Sequence, residues 1–116
     1  MPTKDELFER MGRDRYAELT GLEVLAAAPG TAEVKMPVTP GILNGHGNVH
    51  GGALFTLADY AAAVASNMLG TPTMATNGSI SFLRAVREGY VVATARTVKA
   101  GKRMKFMAVE IHKSSK

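Results

Sequence analysis

The sequence predicts an α+β domain in which a curved antiparallel sheet of about five strands wraps one long central helix. Three observations predict it. The stretch Ala53–Leu69 contains almost nothing polar beyond Thr56, Asp59, Ser66 and Asn67, so it is a helix apolar nearly all round that must be buried on most sides. Strand-like segments lie on both sides of it, two before and three after. No second long helix follows to cover a sheet, which leaves the sheet to close around the one helix. At 116 residues and 46% hydrophobic content, the chain is expected to form a single domain over 1–116.

The elements follow in order. Thr3-Lys4-Asp5-Glu6 has the form of a capping box and predicts a helix start. Phe8, Met11 and Leu19 supply a partial apolar face, while Gly12 and the charged run Arg13-Asp14-Arg15 weaken the middle; one interrupted helix or two short ones result. Leu22–Ala28 and Thr31–Val38 flank the turn pair Pro29-Gly30, and Ala32, Val34, Met36 and Val38 alternate with polar residues, which reads as a hairpin with one buried face. From Pro40 to Gly52 the chain is rich in Gly, Asn and His and forms a loop. The central helix ends at Gly70 and Pro72. Met74–Arg84, Tyr90–Lys99 and Met104–Lys113 then read as strands, the last two joined across Ala100-Gly101-Lys102-Arg103. The six alanines between Ala53 and Ala65 would let the sheet approach the helix closely. The Lys113–Lys116 end is expected to fray.

Composition narrows the function classes. A formal charge of +4, from 14 Lys and Arg against 10 Asp and Glu, suits a polyanionic ligand. Nucleic acid is set aside because the aromatics are scattered, with no basic and aromatic interleaving, and a phosphate-bearing small molecule fits better. No apolar run reaches the length of a membrane span, and Met1–Arg10 is charged instead of leader-like, so neither membrane insertion nor export is expected. The absence of Cys removes disulfides, thiolate metal sites and cysteine nucleophiles, and the expected compartment is the cytoplasm.

The chemistry-bearing residues gather in the loop and helix: Asn44, His46, Asn48, His50 and Asp59, with Gly51 and Gly52 where the helix begins. A helix N-terminus offers unpaired amides, and glycines there let a ligand oxygen reach the backbone, as an oxyanion hole requires. Asp59 follows two turns later among Leu57, Ala58 and Ala61; burial there would raise its pKa and help it act as a base. The same residues also admit a structural account, with turn glycines and a hydrogen-bonded helical aspartate. His46 and His50 are four apart but precede the helix, so the spacing does not put them on one face; no metal site is expected, and a capping or orienting role is the reading for them.

The string Asn44-Gly45-His46-Gly47-Asn48-Val49-His50-Gly51-Gly52-Ala53-Leu54-Phe55-Thr56-Leu57-Ala58-Asp59 resembles the hotdog-fold thioesterases of the phenylacetate-degradation (PaaI-like) group. Their pattern is Asn, then Gly, then His-Gly-Gly, then Leu-x-Asp on the central helix. The resemblance extends through Thr20-Gly21-Leu22 and Pro29-Gly30 upstream and Ile80-Ser81-Phe82-Leu83-Arg84-Ala85 downstream. It implies an acyl-CoA thioesterase acting on an aryl or medium-chain acyl-CoA, with no cofactor because CoA is part of the substrate. It also implies a homodimer, or a homotetramer built as a dimer of dimers, whose sites form between subunits, with Asp59 from one subunit and the Asn44–Gly51 loop from the other. Asp59 would be nucleophile or general base, the Gly51 amide the oxyanion donor, Asn44 a positioner of water or thioester, and His50 an orienter of the loop.

The family's Ser or Thr near the start of the next strand falls at Ala75 here, so the role passes to adjacent Thr76. Relatives commonly run on through a further strand where this chain stops at Lys116, and an exposed sheet edge is expected. The CoA phosphates would meet Arg84, Arg87, Lys99, Lys102 and Arg103, with backbone room at Gly101. Two rival readings remain: hydratase or dehydratase chemistry, which other hotdog branches perform, and a non-catalytic acyl-CoA binder.

Overall fold

The computed structural model of the chain describes residues 1–114. Part of the end expected to fray, Ser115 and Lys116, lies outside the described residues. Two short helices, α1 (Lys4–Met11) and α2 (Arg15–Glu18), precede strands β1 (Glu23–Ala28) and β2 (Thr31–Pro37). The long helix α3 (Gly51–Asn67) and strands β3 (Tyr90–Ala100) and β4 (Lys105–Ser114) complete the order. The capping box is formed: the Glu6 amide donates to Thr3 Oγ1 and the Thr3 amide to Glu6 Oε1. Gly12, at φ 74°, breaks the helix where the sequence weakens it.

The sheet runs β1-β2-β3-β4, antiparallel throughout, and its inner face is set by register. Ala32 lies opposite Ala95, Val34 opposite Ala93 and Met36 opposite Val91, and all six are buried. Small side chains on β3 make room for α3, which turns Ala53, Leu57, Tyr60, Ala61, Val64 and Ala65 onto the sheet. Leu57 and Val64 have no exposed surface, and truncating a leucine so placed costs about 2–5 kcal/mol. Gly30, at φ 82°, ties the β1–β2 turn to the helix: its amide donates to the Ala65 carbonyl (3.0 Å) and its carbonyl accepts from Thr97 Oγ1 (2.9 Å).

Two expectations are corrected. The sheet has four strands instead of about five, because Met74–Arg84 forms none. Its residues are strand-like, but a strand needs a neighbour to satisfy its amides and carbonyls. A wide cleft separates this segment from β4, the edge of the sheet, and among the described residues no backbone group of 74–85 is hydrogen-bonded within the protein. The central helix, expected to be buried on most sides, is covered by the sheet and by α1 and α2 but is open on the cleft side. Phe55, Ala58, Asp59, Ala62 and Ala63 look into the cleft. No helix among the described residues is long and apolar enough to cross a membrane.

Candidate active site

The loop before α3 is organised by its own polar side chains. Leu43 and Val49 form an isolated antiparallel bridge, and the Asn44 amide donates to the Asn48 carbonyl at 2.7 Å. Asn44 Oδ1 accepts from the amides of His46 (3.0 Å) and Asn48 (3.1 Å), an Asx-type closure that an asparagine can make locally. Gly47, at φ 79°, takes the left-handed position within it. The loop is anchored to its surroundings by Val49 N–H to the Val86 carbonyl (2.8 Å) and His50 N–H to the Ile42 carbonyl (2.7 Å).

His50 is the N-cap of α3. Its Nδ1 accepts from the Gly52 amide at 2.8 Å, which places the ring proton of the neutral side chain on Nε2, and its carbonyl accepts from Ala53 and Leu54. Among the first-turn amides this leaves Gly51 without a hydrogen-bond acceptor among the described residues. A Cβ on Gly51 would stand 3.1 Å from the Phe82 ring, so glycine there keeps a narrow approach open. Gly51, Asn44, Asn48, Leu54, Phe82 and Arg84 line a groove of about 400 Å³. Asn48, named with the polar loop residues in the sequence but given no role there, brings to it a buried Oδ1 with no hydrogen-bond partner among the described residues. No sequence signal marks that oxygen, since Asn is an ordinary loop residue.

Asp59 faces elsewhere. With Thr76 it lines the cleft between α3, β4 and the 72–86 segment, about 2210 Å³ in volume. The expectation of a buried carboxylate is corrected: in the single chain Asp59 is exposed. Enough protein nonetheless surrounds it that desolvation, and secondarily the Asp14 charge, push its carboxyl above the usual range. Leu54, Phe82 and Arg84 border both groove and cleft, but one chain does not bring Asp59 to Gly51. Eight positions of α-helix at a 1.5 Å rise part them by about 12 Å.

Of the basic residues, Arg84, Lys102 and Arg103 line the cleft, whereas Lys99 lies exposed near the end of β3. Arg87 borders the loop, its Nη1 standing 3.9 Å from where a Cβ on Gly47 would lie. Gly101 closes the β3–β4 turn, its amide donating to the Met104 carbonyl at 2.8 Å; a Cβ there would come within 3.0 Å of that same oxygen. Among the described residues no three His, Cys, Asp or Glu side chains cluster as metal ligands.

A family model described as the thioesterase superfamily matches residues 46–116. The acyl-coenzyme A thioesterase PaaI of Escherichia coli is 39% identical over 99 residues, spanning 84% of this chain and 71% of that protein. The structure of conserved protein PA5202 from Pseudomonas aeruginosa superposes with a TM-score of 0.86 at 32% identity, covering 99% of this chain and 90% of that one. A hypothetical thioesterase from Streptococcus pneumoniae TIGR4, solved with coenzyme A, superposes at 0.76 with 29% identity, over 79% of this chain and 73% of that one.

Proposed function

The chain belongs to the thioesterase superfamily and is a thioester hydrolase, and from that premise we propose that it cleaves an aryl or medium-chain acyl-CoA to the free acid and CoA. One observation carries the mechanism: the Gly51 amide, free at the start of a 17-residue helix, and Asp59 are both fit for the reaction yet too far apart in one chain to share a carbonyl. The site is therefore composite, with the loop of one subunit of a homodimer meeting Asp59 of the other. A dimer of dimers would repeat the same contact.

The thioester oxygen sits at the Gly51 N–H, where the positive end of the α3 dipole favours the charge that develops on it. Asp59 takes a proton from water as the water oxygen attacks the carbonyl carbon, the tetrahedral centre collapses, the C–S bond breaks, and the CoA thiolate leaves with the electron pair and is protonated. Alternatively Asp59 attacks that carbon itself, CoA leaves in the same way, and water hydrolyses the resulting mixed anhydride to the free acid and the Asp59 carboxylate. Thr76, which lines the same cleft as Asp59, orients water or the acyl group. Asn44 holds the loop in shape, and His50, by capping α3, aims the first-turn amides. Arg84, Lys102 and Arg103 supply positive charge for the CoA phosphates, and Lys99 and Gly101 mark the hairpin end of that strip. Hydrolysis by this route needs only water beside the thioester, so no cofactor is called for.

The test is thiol release by purified protein across a panel of acyl-CoAs. Release from aryl or medium-chain esters, lowered by at least about 100-fold in Asp59→Ala, is expected for loss of a general base or nucleophile. Full activity in that variant overturns the mechanism. Hydration of an enoyl-CoA without thiol release, or tight binding without turnover, overturns the assigned reaction.

A further inference from the structure

The charged run Arg13-Asp14-Arg15 entered the sequence reading only as a weak point in a helix. In the fold it is the wall of the cleft nearest α1 and α2: Gly12 turns the chain at φ 74°, and Met11, Gly12, Arg13 and Asp14 line the same cleft as Asp59. Asp14 is the N-cap of α2, with Oδ1 accepting from the Ala17 amide at 3.0 Å. Ala17 beneath it is fully buried, and its carbonyl accepts from the buried Thr20 hydroxyl at 2.6 Å, so the cap sits on a fixed base. The adjacent cation does not neutralise it. Arg13 turns its Nε and Nη2 to the Glu18 carboxylate at 2.8–3.0 Å, and Asp14 Oδ2 has no partner among the described residues.

We propose that Asp14 is a positioning residue for hydrolysis, its half-buried, uncompensated carboxylate facing α3 and setting, through Asp59, the pH at which the enzyme switches on. The inference rests on Asp59 being the base or nucleophile. Two like charges sharing a cleft disfavour ionisation of each other, and a carboxylate held closer to the working pH is the stronger base. Asp14 acts on two consecutive residues of α3: together with desolvation, the larger cause at each, it pushes the Asp59 carboxyl and the Tyr60 phenol upward. The other charges facing the cleft are Arg84 from the 72–86 segment and Lys102, Arg103, Lys105, Glu110, His112 and Lys113 from β4 and its hairpin. From the turn between α1 and α2, Arg13 also lines the cleft and is engaged by Glu18 of α2, whose charge adds to that of Asp14 at Tyr60.

The experiment separates charge from cap. Asp14→Asn keeps a capping oxygen and loses the charge; Asp14→Ala loses both. Rates of CoA-ester hydrolysis are followed against pH at low and high salt. The acid limb of kcat in Asp14→Asn is expected to move to lower pH, so that the variant outruns the wild type on that limb. Salt should move the wild-type limb the same way and shrink the difference, because the interaction is screened. An Asp14→Asn profile superposing on the wild type overturns the proposal, whether Asp14→Ala is merely less stable or fails to fold; in the latter case Asp14→Ser, a neutral cap, repeats the comparison. Undiminished hydrolysis in Asp59→Asn overturns the reading of Asp59, which the Asp14 profiles alone would not.

Discussion

Asp59 stands on an otherwise apolar helix, and what it costs the fold can be separated from what it does for the reaction. Its folded-state carboxyl is pushed up, first by desolvation and then by Asp14. A group raised on folding holds its proton more tightly in the native state, so its contribution to stability is fully present below the unfolded carboxylate pKa and is lost as pH rises through the folded one. Above that window Asp59 is a charge the fold would be more stable without. Asp59→Asn is therefore expected to melt at a higher temperature than the wild type at neutral pH and at a similar temperature near pH ~3, while losing hydrolysis. Thermal melts across pH check the sign, and equal melting temperatures at neutral pH would contradict it. The effect is modest because the side chain is exposed in the single chain and solvent screens it.

At the scale of elements, α3 is held at both ends by side chains. At its start, His50 Nδ1 caps the Gly52 amide, and a Cβ at Gly52 would stand 3.0 Å from that nitrogen, so the glycine and the cap require each other. His50→Ala should cost about 1 kcal/mol by analogy with other caps and, by loosening the first turn, lower kcat; His50→Asn should recover most of the stability. Denaturant unfolding of the two variants separates them, and equal losses would remove the cap from the account. At the other end, Asn67 is buried, with Nδ2 donating to the Ala63 carbonyl (2.8 Å) and Oδ1 accepting from the Thr73 amide (3.1 Å), while Ser66 and Thr73 join hydroxyls at 2.7 Å. These bonds fix where the chain leaves the helix and aim the 74–85 segment along the far wall of the cleft.

For the whole molecule, the separation of Asp59 from Gly51 makes the number of chains a functional question. A composite site predicts complementation. Asp59→Ala and Gly51→Val, the second placing bulk against Phe82, should each be inactive alone and should recover about a quarter of wild-type activity when co-refolded in equal amounts. Random pairing makes half the dimers mixed, each with one intact site of two. No recovery, with mixed dimers demonstrated by differential tagging, would place the site within one chain. Among the described residues β4 is the last strand of the sheet, and Phe82, Leu83 and Phe106 around the cleft are more than half exposed. Basic and acidic residues along β4, Lys105, Glu110 and Lys113, are the kind that discourage pairing with stray strands.

Local pattern alone determined much of this protein. The capping box, the paired short helices, the hairpin across Pro29-Gly30, the Ala-rich helix and the last two strands are all legible because each is encoded in residues adjacent in sequence: caps, turn glycines and apolar periodicity. The glycine-rich loop and the helix start were legible for the same reason, and with them the candidates Asn44, His50, Gly51 and Asp59. Thioester chemistry came only through resemblance, since the same residues also serve as a cap, a turn and a helical carboxylate. What tertiary structure decided concerns neighbours. Met74–Arg84 carries a strand's residues but not its pairing, because β4 lies across a cleft from it. Asp59 is exposed, not buried, because among the described residues that side of α3 opens on the cleft. Asp14 became a wall of the cleft only through the packing of α2 on α3, and no spacing along the chain encodes that two carboxylates 45 positions apart in sequence line one cleft.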